Sequence, residues 1–121
     1  MPQVRIEYSG NLEDGFDARR FALRVHDHLM SVAGADLASC KTRLIRLDDV
    51  VIADGSDGQG LIHVDLRILS GRTDEQKREL GAAVMRSLQQ EFAKPGGLEV
   101  QLTVEVRDMD RDFYHKVRLA G

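Results

Sequence analysis

Leu61-Ile62-His63-Val64-Asp65-Leu66-Arg67-Ile68-Leu69-Ser70-Gly71-Arg72-Thr73-Asp74-Glu75-Gln76 is the stretch that decides the fold. Its first nine residues alternate. Ile62, Val64, Leu66 and Ile68 share one face, and His63, Asp65 and Arg67 the other, which is the period of a half-buried strand. Ser70-Gly71-Arg72 reads as a turn. Thr73 and Gln76 stand three apart, the spacing of a capping box that opens a helix. The next segment carries Leu80, Ala83, Val84, Leu88 and Phe92 on one helical stripe and stops near Pro95-Gly96-Gly97. Leu98 to Arg107 then alternates again, with Leu98, Val100, Leu102, Val104 and Val106 against Glu99, Gln101, Thr103, Glu105 and Arg107. The second half of the chain is therefore strand-helix-strand.

The first half has the same order. Val4, Ile6 and Tyr8 alternate with Gln3, Arg5 and Glu7 in a strand that ends at the turn Ser9-Gly10-Asn11. Ala18, Phe21, Ala22, Val25, Leu29 and Val32 form a helical stripe, with Asp14 or Asp17 as the cap and Gly34 as the stop. Lys41 to Leu47 is a strand of mixed polarity, and Asp54 to Gly60 is a loop by composition. The expectation is an α+β fold of two βαβ units. A four-stranded sheet would have two helices on one face, in a single domain over residues 1–121 with a pseudo-repeat of about 1–50 and 60–108. Periodicity alone leaves a split, ferredoxin-like arrangement open, because its element order is the same. The polar second face of the sheet would meet water or line a hydrated subunit interface.

Composition excludes several function classes. The chain has 121 residues, which suits one domain. Its formal net charge is −3, against a general nucleic-acid binder. No segment approaches the roughly 18 apolar residues of a membrane span. Cys40 stands alone, so neither a disulfide framework nor a multi-cysteine zinc site is expected. Met1 to Arg5 has no apolar signal region, and a cytoplasmic location is the expectation.

Several motifs carry no chemistry. Gly55, Gly58 and Gly60 have the wrong spacing for a dinucleotide fingerprint and precede a strand. Asp108, Asp110 and Asp112 begin like a calcium loop, but Phe113 and Leu119 stand where Gly and Glu are needed. His26 and His28 point to different sides of their helix and read as surface histidines. His63 has no partner recognisable in sequence, and Cys40 has no neighbouring His.

Three features together suggest an anion-handling proton-transfer site. Pro2 follows the initiator methionine and precedes a strand. Removing Met1 would expose a secondary amine that can act as general base and acid once burial and nearby cations bring its pKa toward neutrality. Lys41 and Arg43 are alternate residues of one strand, so they point the same way and can hold carboxylates. Arg72 lies in the turn before the second helix, where a guanidinium and helix N-terminal donors make an anion site.

Met1-Pro2 followed by Val4 to Leu12, then Lys41-Thr42-Arg43, Val51-Ile52-Ala53-Asp54-Gly55 and Leu66 to Thr73, resembles the 5-carboxymethyl-2-hydroxymuconate delta-isomerases of the tautomerase superfamily. The resemblance covers most of the chain and thins after Asp108. It implies a homotrimer that uses no metal or organic cofactor. It also implies that Pro2 shuttles the proton of a keto–enol isomerisation in homoprotocatechuate breakdown. Lys41, Arg43 and Arg72 would then bind a small anionic di- or tricarboxylate and polarise its 2-oxo group. Lys41 stands where the family usually has Arg, and Phe113 to Arg118 only loosely matches its aromatic-then-lysine ending. Two other readings remain open: a tautomerase-fold enzyme acting on another enol, such as phenylpyruvate, or on a dehalogenation target, and a non-catalytic interaction domain of the same fold.

Overall fold

The computed structural model describes residues 1–12, 15–92 and 96–121. The elements are β1 (Gln3–Ser9), α1 (Ala18–Ala33), β2 (Lys41–Leu47), β3 (Gln59–Leu69), α2 (Asp74–Glu91) and β4 (Glu99–Met109), with short 3-10 turns at Gly10–Leu12, Leu37–Ser39 and Arg111–Phe113.

The sheet order is β2-β1-β3-β4. β1 and β2 are parallel, with Gln3 opposite Lys41 and Arg5 opposite Arg43. β3 and β4 are parallel, and the two units meet antiparallel at β1 and β3, with Arg5 opposite Asp65. Within each unit the two strands are direct neighbours, so the units are not split. This pairing separates the fold from the ferredoxin-like alternative.

The helices start and stop where their end chemistry dictates. Asp17 caps α1, its Oδ1 accepting from the Arg20 N–H at 3.0 Å, and Gly34 closes the helix at φ 67°. Asp14, the alternative cap, lies outside the described residues. Thr73 and Gln76 form the full capping box of α2: the Gln76 N–H donates to Thr73 Oγ1 at 3.1 Å and the Thr73 N–H to Gln76 Oε1 at 3.0 Å. α2 ends at Glu91 with Phe92 as its cap; Pro95 of the expected stop lies outside the described residues.

One face of the sheet is dry. Val4, Ile6, Ile62, Val64, Leu66 and Ile68 are buried against Phe21, Val25 and Leu29 of α1 and Leu80, Val84 and Leu88 of α2. Each such side chain contributes about 1.5–3 kcal/mol by leaving water. Val100, Leu102, Val104 and Val106 are only half-buried, because β4 is an edge strand. The opposite face carries the polar alternates. In register across β2, β1, β3 and β4 these form one row of Lys41, Gln3, Arg67 and Arg107, and a second of Arg43, Arg5, Asp65 and Glu105.

The boundaries differ from the sequence expectation in β3 and β4. β3 starts at Gln59, two residues inside the expected loop, because side chains tie the loop to β1. Asn11 Nδ2 donates to the Gln59 carbonyl at 2.8 Å, and the Leu61 N–H donates to Ser9 Oγ at 3.0 Å. A Cβ on Gly60 would stand 3.0 Å from both Leu12 Cδ2 and Ser9 Oγ, so any side chain there would push these two neighbours back by a few tenths of an ångström. β4 runs on through Met109, whose carbonyl accepts from the Ser70 N–H at 2.9 Å.

His26 and His28 are not free surface histidines. His26 Nε2 lies 2.7 Å from Thr42 Oγ1 on β2, and His28 Nε2 lies 2.6 Å from the buried Ser87 Oγ on α2. Burial lowers both pKa values, the Asp27 carboxylate opposing it in each case. His63 also has a partner, with Nδ1 2.7 Å from Thr103 Oγ1 on β4. Sequence spacing could not reveal these contacts, because each partner comes from another element.

Candidate active site

The head of β1 is where the chemistry-bearing residues meet. Pro2 is buried, and its carbonyl accepts the Lys41 N–H at 3.3 Å as the parallel ladder to β2 begins. The amino group just before it, on Met1, has its pKa pulled below the ordinary value. Burial is the largest cause and the Arg72 guanidinium the next; Lys116 and Lys41 push the same way, and Cys40 opposes. Each of these influences acts by disfavouring, or in the case of Cys40 favouring, the ammonium form.

Arg72 is fixed from below. Its Nε donates to the Ala33 carbonyl at 3.0 Å and its Nη1 to the Leu69 carbonyl at 3.1 Å. One guanidinium thus closes the C-terminal end of α1 and the C-terminal end of β3 together, satisfying carbonyls that a helix end leaves open. Among the described residues Nη2 has no hydrogen-bond partner. The N-terminal donors expected beside Arg72 are partly committed to the capping box, since the Thr73 and Gln76 N–H groups are both bound within it.

Lys41 reaches the same place from β2, its Nζ donating to the Ser39 carbonyl at 2.9 Å. Arg43 does not act on the amine. It lies on the open sheet face, where its Nη1 donates to Gln3 Oε1 and it lines a cleft of about 350 Å³ with Gln3, Arg5, Asp65, Arg67 and Tyr114. Lys41 and Arg43 do share a sheet face, as alternation requires, but their head groups serve different neighbours.

Asp65 is the buried acid of that cleft. Arg107 grips it from β4, Nε to Oδ1 at 3.0 Å and Nη2 to Oδ2 at 2.7 Å, and Arg67 Nε adds a bond to Oδ2 at 3.1 Å. The Arg107 hydrogen bonds hold its carboxyl below the usual range; burial opposes them and Arg67 assists. The carboxylate is thereby saturated, which leaves Arg5 and Arg43 as the cations of the cleft that face it without binding Asp65.

The tail supplies what sequence reasoning missed. Asp110 Oδ1 accepts from the Asp112 N–H at 3.0 Å, and Asp108 pairs with Lys77 at 3.3 Å, so the acidic run is a capped turn beside α2. Beyond it the chain returns to β1: Gln3 Nε2 donates to the Tyr114 hydroxyl at 2.9 Å, and Lys116 Nζ donates to Ser39 Oγ at 3.3 Å. These are single contacts from an aperiodic segment. The only sequence signal for them was the aromatic-then-lysine ending.

Two parallel βαβ units joined antiparallel into one four-stranded sheet are the architecture of a tautomerase fold. The family model described as 5-carboxymethyl-2-hydroxymuconate isomerase matches residues 2–118, and the chain belongs to that family. It is 26% identical over 93 residues to the 5-carboxymethyl-2-hydroxymuconate Delta-isomerase of Escherichia coli, covering 77% of this chain and 74% of that protein. The crystal structure of a 5-carboxymethyl-2-hydroxymuconate isomerase from Deinococcus radiodurans R1 superposes with a TM-score of 0.88 at 23% identity, covering 98% of this chain and 90% of that one. A fused 4-OT described as a symmetric trimer superposes with a TM-score of 0.67 at 20% identity, covering 90% and 86%.

Proposed function

We propose that this isomerase converts a carboxylated 2-hydroxymuconate-type dienol, 5-carboxymethyl-2-hydroxymuconate, to its 2-oxo isomer, with Pro2 as the proton carrier. The observation that carries the reading is the setting of the Met1 amine, which burial and the cations Arg72, Lys116 and Lys41 disfavour as an ammonium. With Met1 removed, the Pro2 nitrogen is the amine at the head of β1. Pro2 is itself buried, and burial beside cations favours the neutral form of an amine, the form a general base needs near pH 7.

In the reaction, neutral Pro2 takes the 2-hydroxyl proton of the dienol and returns a proton to carbon, while the electron pair moves to make the 2-oxo group. Negative charge develops on the 2-oxygen during the step, and Arg72 and Lys41 are the groups to stabilise it and to hold the adjacent carboxylate. Arg43 is assigned to a distal carboxylate from its cleft on the sheet face. Proton transfer through an amine asks for no metal or organic cofactor, and the reading includes none. Such a base contributes about 10²–10⁴-fold.

The reading includes a homotrimer, supported by the trimeric assembly of the fused 4-OT and by the charged sheet face that no helix covers among the described residues. Light scattering at micromolar concentration tests it: a mass of three chains is expected, and a monomer would contradict it. The function is tested by following loss of dienol absorbance with freshly generated 5-carboxymethyl-2-hydroxymuconate. Turnover well above the uncatalysed rate is expected; turnover of phenylpyruvate enol alone would move the substrate to another enol.

A further inference from the structure

We propose that Lys116, from the chain's tail, is a further substrate-binding residue of this site, and that it gives the site its preference for a tricarboxylate. The inference rests on the location of the site at the head of β1, and it concerns a residue that neither the strand pattern nor the first set of cations includes.

Lys116 Nζ stands 3.3 Å from Ser39 Oγ, and Lys41 Nζ stands 2.9 Å from the Ser39 carbonyl. Ser39 therefore anchors two ammonium groups that enter from different parts of the chain. Ser39 is itself buried, which fixes the point where they converge. Arg72 completes the group, since it acts on the same Met1 amine as the two lysines. Asp36 reaches the same hydroxyl, its Oδ2 accepting from Ser39 Oγ at 3.5 Å, but among the described residues it forms no ion pair with either lysine. By contrast, Arg67 and Arg107 on the sheet face have Asp65 to neutralise them.

Met1 shows what this set can enclose. Lys116 Nζ contacts Met1 Sδ at 3.0 Å, so the half-buried methionine occupies the space between the lysine and Pro2. When Met1 is removed, that space opens beside the Pro2 nitrogen, with the Lys116 ammonium at its edge. Two ammonium groups converging on Ser39 call for carboxylate oxygens, because each ammonium is best satisfied by an anionic acceptor. Tyr114, two residues before Lys116, is tied to Gln3, which holds the tail against β1 and keeps Lys116 over the site.

The test is a binding measurement on protein whose mass shows Met1 removed. The Pro2 resonance of ¹⁵N-proline-labelled protein is titrated with propane-1,2,3-tricarboxylate and, separately, with butyrate. Lys116→Met keeps the length of the side chain and removes its charge. It should weaken tricarboxylate binding by about tenfold, the equivalent of one charge-assisted hydrogen bond, and leave butyrate binding within about twofold. Lys116→Arg should restore most of the loss. Lys116 is exposed, so thermal unfolding should be unchanged in both variants. Tricarboxylate binding by Lys116→Met equal to that of the wild-type protein would overturn the proposal, as would a wild-type protein that binds no tricarboxylate. A wild-type protein that binds the tricarboxylate with Lys116-dependence but does not turn over the dienol overturns the isomerase substrate alone.

Discussion

Arg72 Nε donates to the carbonyl of Ala33 at 3.0 Å, so the cation beside the N-terminal amine is also the side chain that closes the end of α1. The bond crosses between the two βαβ units. It ties the last residue of the first helix to the turn that opens the second, and it places a guanidinium at the head of β1 with little freedom to move. A substitution here should therefore be read in two measurements, one of stability and one of the amine.

Arg72→Ala removes both carbonyl contacts and the charge. The half-buried bonds to Ala33 and Leu69 should cost about 1–3 kcal/mol of stability, visible as an earlier denaturation midpoint. The charge effect has a definite sign. Arg72 lowers the pKa of the Met1 amine, so its loss should raise the pKa of the N-terminal amine that Pro2 provides once Met1 is removed, and the acid limb of kcat/KM should move to higher pH. A limb that stays in place would remove Arg72 from the amine's surroundings, whatever happens to stability.

Asp65→Asn tests the saturated carboxylate of the sheet face. Asp65 is 6% exposed and bound by two arginines, so the neutral amide should lower stability by about 1–3 kcal/mol. The folded-state pKa of Asp65 is depressed. Its contribution is present above the ordinary aspartate value of about 3.9 and is lost as pH falls through the lower folded value. The stability gap between wild type and Asp65→Asn should thus hold from pH 7 to about pH 4 and shrink below it. A gap that is flat to pH 2 would contradict the assignment.

His26 and His28 predict an earlier loss. Burial lowers their folded pKa values, so the unfolded chain takes up protons first as pH falls. Above the ordinary histidine value of about 6.5 both states are neutral and stability does not change on their account. Below it, stability should fall until the folded histidines protonate as well. Urea midpoints measured from pH 7.5 to pH 5 should decline in the wild-type protein and flatten in a His26→Gln, His28→Gln double variant. Equal slopes would show that the two side chains do not titrate differently on folding.

The parts of this structure that were legible in the sequence are those written as repeated local patterns. The β3 alternation and the Phe21–Val25–Leu29 stripe repeat periods that burial imposes, the Thr73–Gln76 box is a fixed spacing set by helix-end hydrogen bonds, and each forms as read. Parallel pairing within each half was legible from the helix in each crossover, but the register and the joining of the halves were not. Gln3 opposite Lys41 and Arg5 opposite Asp65 are choices between strands distant in sequence, and both the split and unsplit topologies bury the same residues. The same limit applies to the site. Lys41 and Arg43 could be placed on one face by alternation, but that Lys41 turns to Ser39 while Arg43 turns to Gln3 depends on the neighbours each meets. Lys116 and Tyr114 carry no period at all; a single contact from an irregular tail leaves nothing to count.

The central claim is that Pro2 carries the proton. The most direct test compares wild type with Pro2→Ala, each shown by intact mass to have lost Met1, in turnover of 5-carboxymethyl-2-hydroxymuconate at pH 7. Alanine keeps an N-terminal amine but replaces the secondary amine with a primary one of higher mobility, and it leaves the core untouched. The account predicts a fall in kcat/KM of at least about tenfold with an unchanged circular dichroism spectrum and unfolding midpoint. Equal kcat/KM in the two proteins would contradict it.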